Sequence, residues 1–179
     1  NEPVHFVVDL AQTGQSSLVI VQGANLSAGD EVGLFDLNGV TESCIPEEGC
    51  ENAIVGETLV GSGVWVDGQL EIVGIGSVDL SDFGGPVLNG YVDGNSISYR
   101  IWKSDEDAEY DAEVIYSQGS GTWGEILTVV SSLEPIFSIV QEIELDPFRI
   151  NMVSISVVPE DNSAASILGS LDILLASSD

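Results

Sequence analysis

The densest group of side chains that could bind a ligand is the acidic run SDEDAEYDAE, residues 104–113. Calcium takes roughly six to eight oxygen ligands, and closely spaced carboxylates supply them. The run therefore predicts a calcium site, although its spacing differs from that of an EF-hand loop. The alternative is a solvated acidic loop that keeps the protein soluble. The sequence requires no cofactor and leaves calcium as the candidate ion. The predicted ligands are Asp105, Glu106, Asp107, Glu109 and Asp111.

Smaller groups of oxygen donors occur elsewhere in the chain. They are Asp30 with Glu31, Asp79 with Asp82, and Asp93 with Asn95.

Catalytic chemistry has few candidate residues. The single histidine is His5, which lies between Val4 and Phe6 in a pattern typical of a strand face. No serine stands in the G-x-S-x-G context of a nucleophile elbow. The Gly74–Gly76 pair lacks the third glycine of a dinucleotide site. With 30 acidic residues in the chain, some pair of carboxylates can always be named, so such a pair does not indicate a glycosidase. We therefore expect no enzymatic activity.

The two cysteines lie in the polar segment CIPEEGC, at Cys44 and Cys50. Five residues between them can close a small ring, with Pro46 and Gly49 at the bends. The spacing predicts a disulfide that staples the loop in an oxidising compartment. The alternative is a pair of reduced thiols in a cytosolic loop. A zinc site is disfavoured because neighbouring carboxylates oppose ionisation of the thiols.

Aromatic side chains give an alternative function, because carbohydrate-binding modules use exposed aromatics on one sheet face. Aromatic residues make up only 7% of the chain, and a core needs several of them, so the opposing interpretation places them inside. The candidates are Trp65, Tyr91, Tyr99, Trp102, Tyr110, Tyr116 and Trp123.

The charge balance restricts the partners. The formal net charge is −27, with Arg100, Lys103 and Arg149 as the basic residues. Three cations cannot neutralise a phosphate backbone, so a nucleic-acid partner is excluded, and an anionic membrane surface is disfavoured for the same reason. Self-repulsion of this size destabilises the folded state unless salt or divalent cations screen it.

The elements that must position these residues are mostly strands. Alternating apolar residues and turn dipeptides predict an all-β fold, a jelly-roll-like β-sandwich of about nine strands. Asp67-Gly68 predicts a two-residue hairpin. One or two short helices are predicted at residues 124–133 and 163–171. The predicted strands are residues 4–10, 17–22, 31–36, 57–66, 69–75, 96–103, 111–116, 136–145 and 150–158.

The C-terminal residues form a second predicted unit. We expect a sandwich module at residues 1–147 and a strand-helix-strand extension at residues 148–179. About 30 residues are too few for an independent domain, so the extension is expected to pack on the sandwich or to complete a sheet in a neighbouring subunit. The alternative is a second module that stops early. The strands that could be donated in assembly carry Val4, Phe6, Val8, Leu171, Ile173, Leu174 and Leu175.

The segment AGDEVGLFD, residues 28–36, resembles the GDE-(I/V)-G-(V/L)-FD signature of β-sandwich modules in secreted, multi-domain surface proteins of marine and gliding bacteria. The resemblance continues through GYVDGN at residues 90–95 and covers roughly residues 5–133. Residues 150–175 resemble the start of another secreted module. The resemblance implies a secreted β module and assigns no activity.

These patterns together predict an extracellular, non-catalytic structural or assembly module, a subunit of a surface filament, layer or adhesin. The alternative is a carbohydrate-binding module of a larger secreted protein. The chain begins at Asn1, which predicts a removed signal peptide. No apolar run approaches the roughly 20 residues of a membrane-spanning helix, so membrane insertion is not expected. The expected partners are further copies of the chain, other surface proteins, or polysaccharide.

Overall fold

A computed structural model describes residues 2–45 and 52–137 of the 179-residue chain. The described residues fall within one compact unit, residues 1–138. The strand and helix predictions for residues 150–158 and 163–171, the boundary at residue 147 and most of the strand at residues 136–145 lie outside the described residues.

Nine strands make up the described part of the chain, and the all-β sandwich-like class is confirmed. Short alternating patterns explain them: in the first strand, the side chains of Ser17, Val19 and Val21 face inward. One turn of 3-10 helix, Ser81–Phe83, is the only helix in residues 2–45 and 52–137. The strands are β1 Ser16–Val21, β2 Glu31–Glu42, β3 Ile54–Val64, β4 Leu70–Ile75, β5 Val78–Asp79, β6 Val87–Leu88, β7 Ser98–Lys103, β8 Ala108–Gln118 and β9 Leu127–Pro135.

Seven of the strands form one continuous sheet in the order β3-β2-β7-β8-β9-β1-β4, and β5 and β6 form a separate ribbon. Strand β8 belongs to both halves of the sheet: its first residues, from Ala108 to Asp111, pair with β7, and those from Ala112 onward pair with β9. All neighbours are antiparallel except β1 and β9. The two end strands of this sheet, β3 and β4, are in contact, so the sheet folds over on itself.

The contact between β3 and β4 depends on glycine. A Cβ atom on Gly61 would lie 2.7 Å from the carbonyl oxygen of Val73, and one on Gly63 would lie 2.9 Å from the Leu70 side chain. A real Cβ atom does not approach backbone this closely, so only glycine permits the two strands to touch. We call this contact the β3–β4 seam.

Substitution of Gly61 by alanine is expected to open the seam and to lower the free energy of unfolding by about 1–3 kcal/mol, the usual cost of overpacking. Gly56→Ala, on the same strand, is the matched control, because its Cβ would meet nothing closer than 3.6 Å. Urea unfolding of both variants measures the difference. Equal stability of the two variants would contradict the described packing of β3 on β4.

The core fills the space inside the folded sheet. Val32 and Leu34 of β2, Ile101 of β7 and Val130 of β9 are fully buried. Tyr91 stacks on Trp123, with ring centroids 4.4 Å apart and planes 6° from parallel. Gly74 leaves room for this pair, since its Cβ would lie 2.6 Å from the Trp123 ring.

Three predictions of local structure are wrong. Residues 124–133 contribute to β9 instead of a helix, because Thr128, Val129 and Val130 are β-branched and pair with β1, and the two valines also pair with β8. Residues 4–10 form bends and irregular chain instead of a strand. Asp67-Gly68 is not a hairpin turn, because β3 pairs with β2 whereas β4 pairs with β1.

The corner at residues 65–69 has a tertiary cause. The Trp65 N–H donates to the Asp30 carbonyl at 2.7 Å, and the Trp65 carbonyl accepts from the Gly29 N–H at 2.9 Å. These bonds hold the end of β3 on the loop that precedes β2, so the chain leaves toward the other half of the sheet. A two-residue hairpin would need β3 and β4 to be hydrogen-bonded partners.

Candidate functional site: buried carboxylates and the N-terminal strap

Three carboxylates of the AGDEVGLFD segment are buried, contrary to the usual exposure of acidic residues. Asp30 and Asp36 are 0% exposed and Glu31 is 1% exposed. Burial of a charged group is costly unless hydrogen bonds satisfy it. Each of the three accepts several such bonds from a different, distant part of the chain.

Asp30 holds the end of β7 and the loop before β2. The Lys103 ammonium donates to Oδ2 at 2.8 Å, and the Ser104 N–H donates to Oδ1 at 2.9 Å. The Ser27 N–H completes the set at 2.8 Å. Burial raises the pKa of the Asp30 carboxyl, but the hydrogen bonds from Lys103, Ser104 and Ser27 outweigh burial and keep the pKa below its usual value.

Glu31 binds the backbone of the N-terminal segment. Its carboxylate accepts the N–H of Val4 at 2.6 Å, of His5 at 3.0 Å and of Phe6 at 2.8 Å. Three consecutive amides around one anion resemble the anion-binding concavities that proteins build from backbone. Residues 2–12, which this contact holds against the sheet, are called the N-terminal strap.

Side chains of the strap complete the attachment. Phe6 is 3% exposed, and its ring meets the Phe35 ring edge to face at 5.7 Å. Gly33 makes room for it, because a Cβ there would lie 3.0 Å from the Phe6 ring. His5 stacks flat on Trp102 at 5.2 Å, and its Nε2 lies 3.0 Å from Oε2 of Glu109. The outer face of β2 is therefore covered by the chain's own N-terminal residues.

Asp36 connects β2 to the segment after β6. It accepts the N–H of Val92 and the N–H of Asn38 at 2.8 and 2.9 Å. The Asn95 side-chain amide donates to both carboxylate oxygens at 3.0 Å. Because Val92 and Asn95 lie more than 50 positions further along the chain, Asp36 fixes a long-range contact.

Arg100 lies beside Glu109, which contacts His5 of the strap, and it binds or approaches three exposed carboxylates. Its guanidinium binds Glu57 through two bonds of 2.9 and 2.6 Å, and it lies 3.5 Å from Glu109 and 3.7 Å from Asp111. It also covers the Phe35 ring at 4.4 Å. The hydrogen bonds that Arg100 donates to the Glu57 carboxylate raise the pKa of Arg100. Arg100 and Lys103 thus both have carboxylate partners within the chain.

The structure divides the predicted calcium ligands between two surroundings. Glu109 and Asp111 lie on β8 beside Arg100, whereas Asp105, Glu106 and Asp107 lie in the turn between β7 and β8. Glu106 accepts a hydrogen bond from the Tyr110 hydroxyl at 2.6 Å. Within residues 2–45 and 52–137, no three His, Cys, Asp or Glu side chains are arranged to hold a metal ion. Calcium binding stays a prediction.

Four of the seven aromatic candidates for carbohydrate binding are core residues, namely Trp65, Tyr91, Tyr99 and Trp123. Trp102, Tyr110 and Tyr116 are partly exposed, but Trp102 is covered by His5. The seven side chains therefore do not form one exposed platform, and polysaccharide binding stays a prediction.

The predicted assembly residues have different outcomes. Phe6 is buried against the chain's own β2, whereas Val4 is 76% exposed and Val8 is partly exposed. Leu171, Ile173, Leu174 and Leu175 lie outside the described residues. Cys44 is buried beside Val87, and Cys50 also lies outside the described residues, so the disulfide stays a prediction.

A groove runs between the strap and the β3–β4 seam. Its volume is about 390 Å³, and its lining includes Val7, Leu10, Val60, Val73 and Ile75. Val7 is 65% exposed and Val73 is 54% exposed. The strap thus crosses the seam without filling the space beneath it.

Sequence reasoning missed the structural role of Asp30, Glu31 and Asp36 and treated the first two as minor calcium candidates. A usable signal exists in the sequence. In DEVGLFD, large apolar or acidic residues occur in both alternating sets of positions, with Gly33 as the exception, which indicates a strand covered on both faces. An acid in a strand of this kind must have a buried partner.

The described residues contain no helix with the length and apolar character needed to cross a bilayer. The strap, the buried carboxylates and the Arg100 cluster all belong to the unit of residues 1–138. Comparisons of the chain with models of protein families, with curated proteins and with solved structures find no match.

Proposed function

We propose that this chain is a non-catalytic structural module of an extracellular surface assembly, a filament, layer or adhesin. One observation carries the proposal: the side chains best suited to catalysis or ligand binding are engaged in tertiary contacts within the chain. His5, Asp30, Glu31, Asp36, Arg100 and Lys103 each join segments that are distant in the sequence.

These tertiary contacts suit a structural module that must stay folded under mechanical force. Asp30, Glu31 and Asp36 lie within one stretch of seven residues and bind three separate regions: the end of β7, the strap, and residues 92–95. Hydrogen bonds to charged groups contribute about 1.5–3 kcal/mol each, more than neutral ones. β2 is thereby fixed on both of its faces.

The charge distribution supports a location in salty surroundings. Both described Lys and Arg side chains are engaged with carboxylates, so most acids in residues 2–45 and 52–137 have no Lys or Arg partner in that part of the chain. The resemblance of residues 28–36 to secreted surface modules, and the predicted disulfide, favour the outside of the cell.

The test is assembly as a function of ionic strength. Sedimentation velocity and electron microscopy of the full chain are carried out from about 10 mM to about 1 M salt, where the Debye length falls from about 30 Å to about 3 Å. We expect single particles at low salt and ordered oligomers at high salt or with millimolar calcium. Screening of the net charge of −27 is the reason.

A chain ending at Pro159 separates the contribution of the predicted C-terminal strand, since it lacks residues 171–175. We expect it to assemble less than the full chain under the same conditions. A monomer at every salt concentration, or unimpaired assembly at low ionic strength in chelator, would refute the proposed function.

A further inference from the structure

We propose that the surface that binds the N-terminal strap also binds the strap of a second copy, so that neighbouring molecules exchange residues 2–12. This inference rests on the proposed function, because it names the contact between subunits. The surface, called the strap seat, consists of Glu31, Gly33, Phe35, Trp102 and Glu109.

The strap seat recognises a particular short peptide. Glu31 binds three consecutive backbone N–H groups. The space above Gly33 and Phe35 takes an aromatic ring, which is that of Phe6. Trp102 and Glu109 take the flat, hydrogen-bonding ring of the preceding residue, His5. Residues 4–6 of any copy of this chain meet all these requirements.

The connection between the seat and the rest of the chain has one apolar contact and no hydrogen bonds. Leu10 packs against the core, whereas residues 8–12 make no hydrogen bond to the described part of the chain. The next hydrogen bond is at Thr13, whose hydroxyl donates to the Gly76 carbonyl at 2.5 Å. The connection also spans the unfilled groove of about 390 Å³. Gly14, at φ +90° with open space around it, provides a hinge at the end of the connection.

These facts determine when exchange occurs. A strap from a second copy makes the same seat contacts, so the chain's own strap has only the advantage of tethering. A short flexible tether corresponds to an effective concentration in the millimolar range. Subunits crowded on a surface reach comparable local concentrations, and exchange then becomes competitive. Each copy carries one strap and one seat, so exchange produces either a reciprocal dimer or an open chain of subunits.

The experiment uses two full-length variants, each of which carries one of the two cysteines of the link between positions 7 and 73. Val7→Cys labels the strap and Val73→Cys labels the wall of the same groove. The two are mixed at high salt and high protein concentration and treated with a bis-maleimide, and mass spectrometry identifies the 7–73 link. We expect a mixed cross-linked dimer whose yield rises with protein concentration. The V7C/V73C double variant, when diluted, should instead give the link within one chain.

Matched controls separate exchange from random collision. Val66→Cys replaces V73C in one control, because Val66 is 61% exposed and does not line the groove. Phe6→Ala in the V7C chain should lower the yield of the mixed link about 30-fold, the size expected for loss of a buried aromatic anchor. Phe83→Ala, at a phenylalanine that is 89% exposed, should leave the yield unchanged.

The outcomes distinguish the two proposals. Absence of the 7–73 link between chains, in samples that sedimentation shows to be assembled, would overturn strap exchange and leave the structural function intact. A monomer under all conditions would overturn both. A mixed link of equal yield with V66C, or one unaffected by F6A, would also overturn exchange.

Discussion

Replacement of Asp30 by alanine is expected to lower the free energy of unfolding by about 3–5 kcal/mol, because it leaves a charged partner without its counterion in a poorly solvated site. The Lys103 ammonium lies 2.8 Å from Asp30, and the Lys103 side chain is only 11% exposed. The N–H groups of Ser27 and Ser104 lose their acceptor in the same variant. Urea unfolding followed by tryptophan fluorescence measures the loss.

Two comparison variants show whether the lost hydrogen bonds and ion pair of Asp30 cause the loss of stability. Lys103→Met should cost less, about 1–3 kcal/mol, because the Asp30 carboxylate keeps its bonds from Ser27 and Ser104. Asp105→Ala removes the same charge from an exposed position in the following turn, where a change within about 0.5 kcal/mol is expected. If D30A were no less stable than D105A, the hydrogen bonds of Asp30 would not stabilise the fold.

The contribution of Asp30 should also depend on pH. The pKa of its carboxyl lies below the usual value in the folded protein, so the folded state binds fewer protons at this group than the unfolded state does near that value. The resulting stability is present above the unfolded pKa of about 3.9 and is lost as the pH falls through the folded pKa. The difference between the wild type and D30A should therefore narrow below about pH 4. A difference that stays constant from pH 7 to pH 3 would contradict this assignment.

Glu31→Ala is expected to release the N-terminal strap and to lower the free energy of unfolding by about 2–4 kcal/mol. The variant removes the acceptor of three backbone N–H groups, at Val4, His5 and Phe6. The strap can then leave the sheet and be solvated, which exposes Phe35 and the space above Gly33. Amide hydrogen exchange at residues 4–6 should become fast, whereas amides within β1 and β9 stay protected.

The control for Glu31 is Glu113→Ala, because Glu113 is an exposed acid on β8. It removes the same charge from the protein and should leave exchange at residues 4–6 unchanged. Glu31→Gln keeps the shape but replaces one acceptor oxygen by a donor, so it should also free the strap. Protection of residues 4–6 in both E31A and E31Q would show that the side-chain contacts of His5 and Phe6 hold the strap without Glu31.

The sequence alone determined the positions of three strands, because their alternating pattern does not depend on which strands they pair with. β1, β4 and β7 lie within two residues of the predicted bounds, because alternation of apolar residues is a local property of a strand with one buried face. The all-β class is likewise predicted from local patterns, namely alternating apolar residues and turn dipeptides. The excess of acidic over basic residues is read directly from the composition.

Tertiary structure decided which charged residues matter. Asp30 contacts Lys103 across 73 positions, Asp36 contacts Val92 across 56, and Glu31 contacts Phe6 across 25. No local pattern specifies such partners, and without them the same acids are expected on the surface. For this reason the calcium prediction centred on the acidic run at residues 105–111 and treated Asp30 and Glu31 as minor candidates.

Tertiary structure also decided which conformation two ambiguous segments adopt, residues 127–133 and residues 4–10. Residues 127–133 became a strand because β1 and β8 lie on either side of them, and pairing on both edges outweighs a weak helical pattern. Residues 4–10 alternate like a strand, yet the N–H groups of residues 4–6 bind Glu31 instead of a neighbouring strand. Local sequence fixes the preference of a segment, whereas the partner that satisfies its backbone determines the structure it adopts.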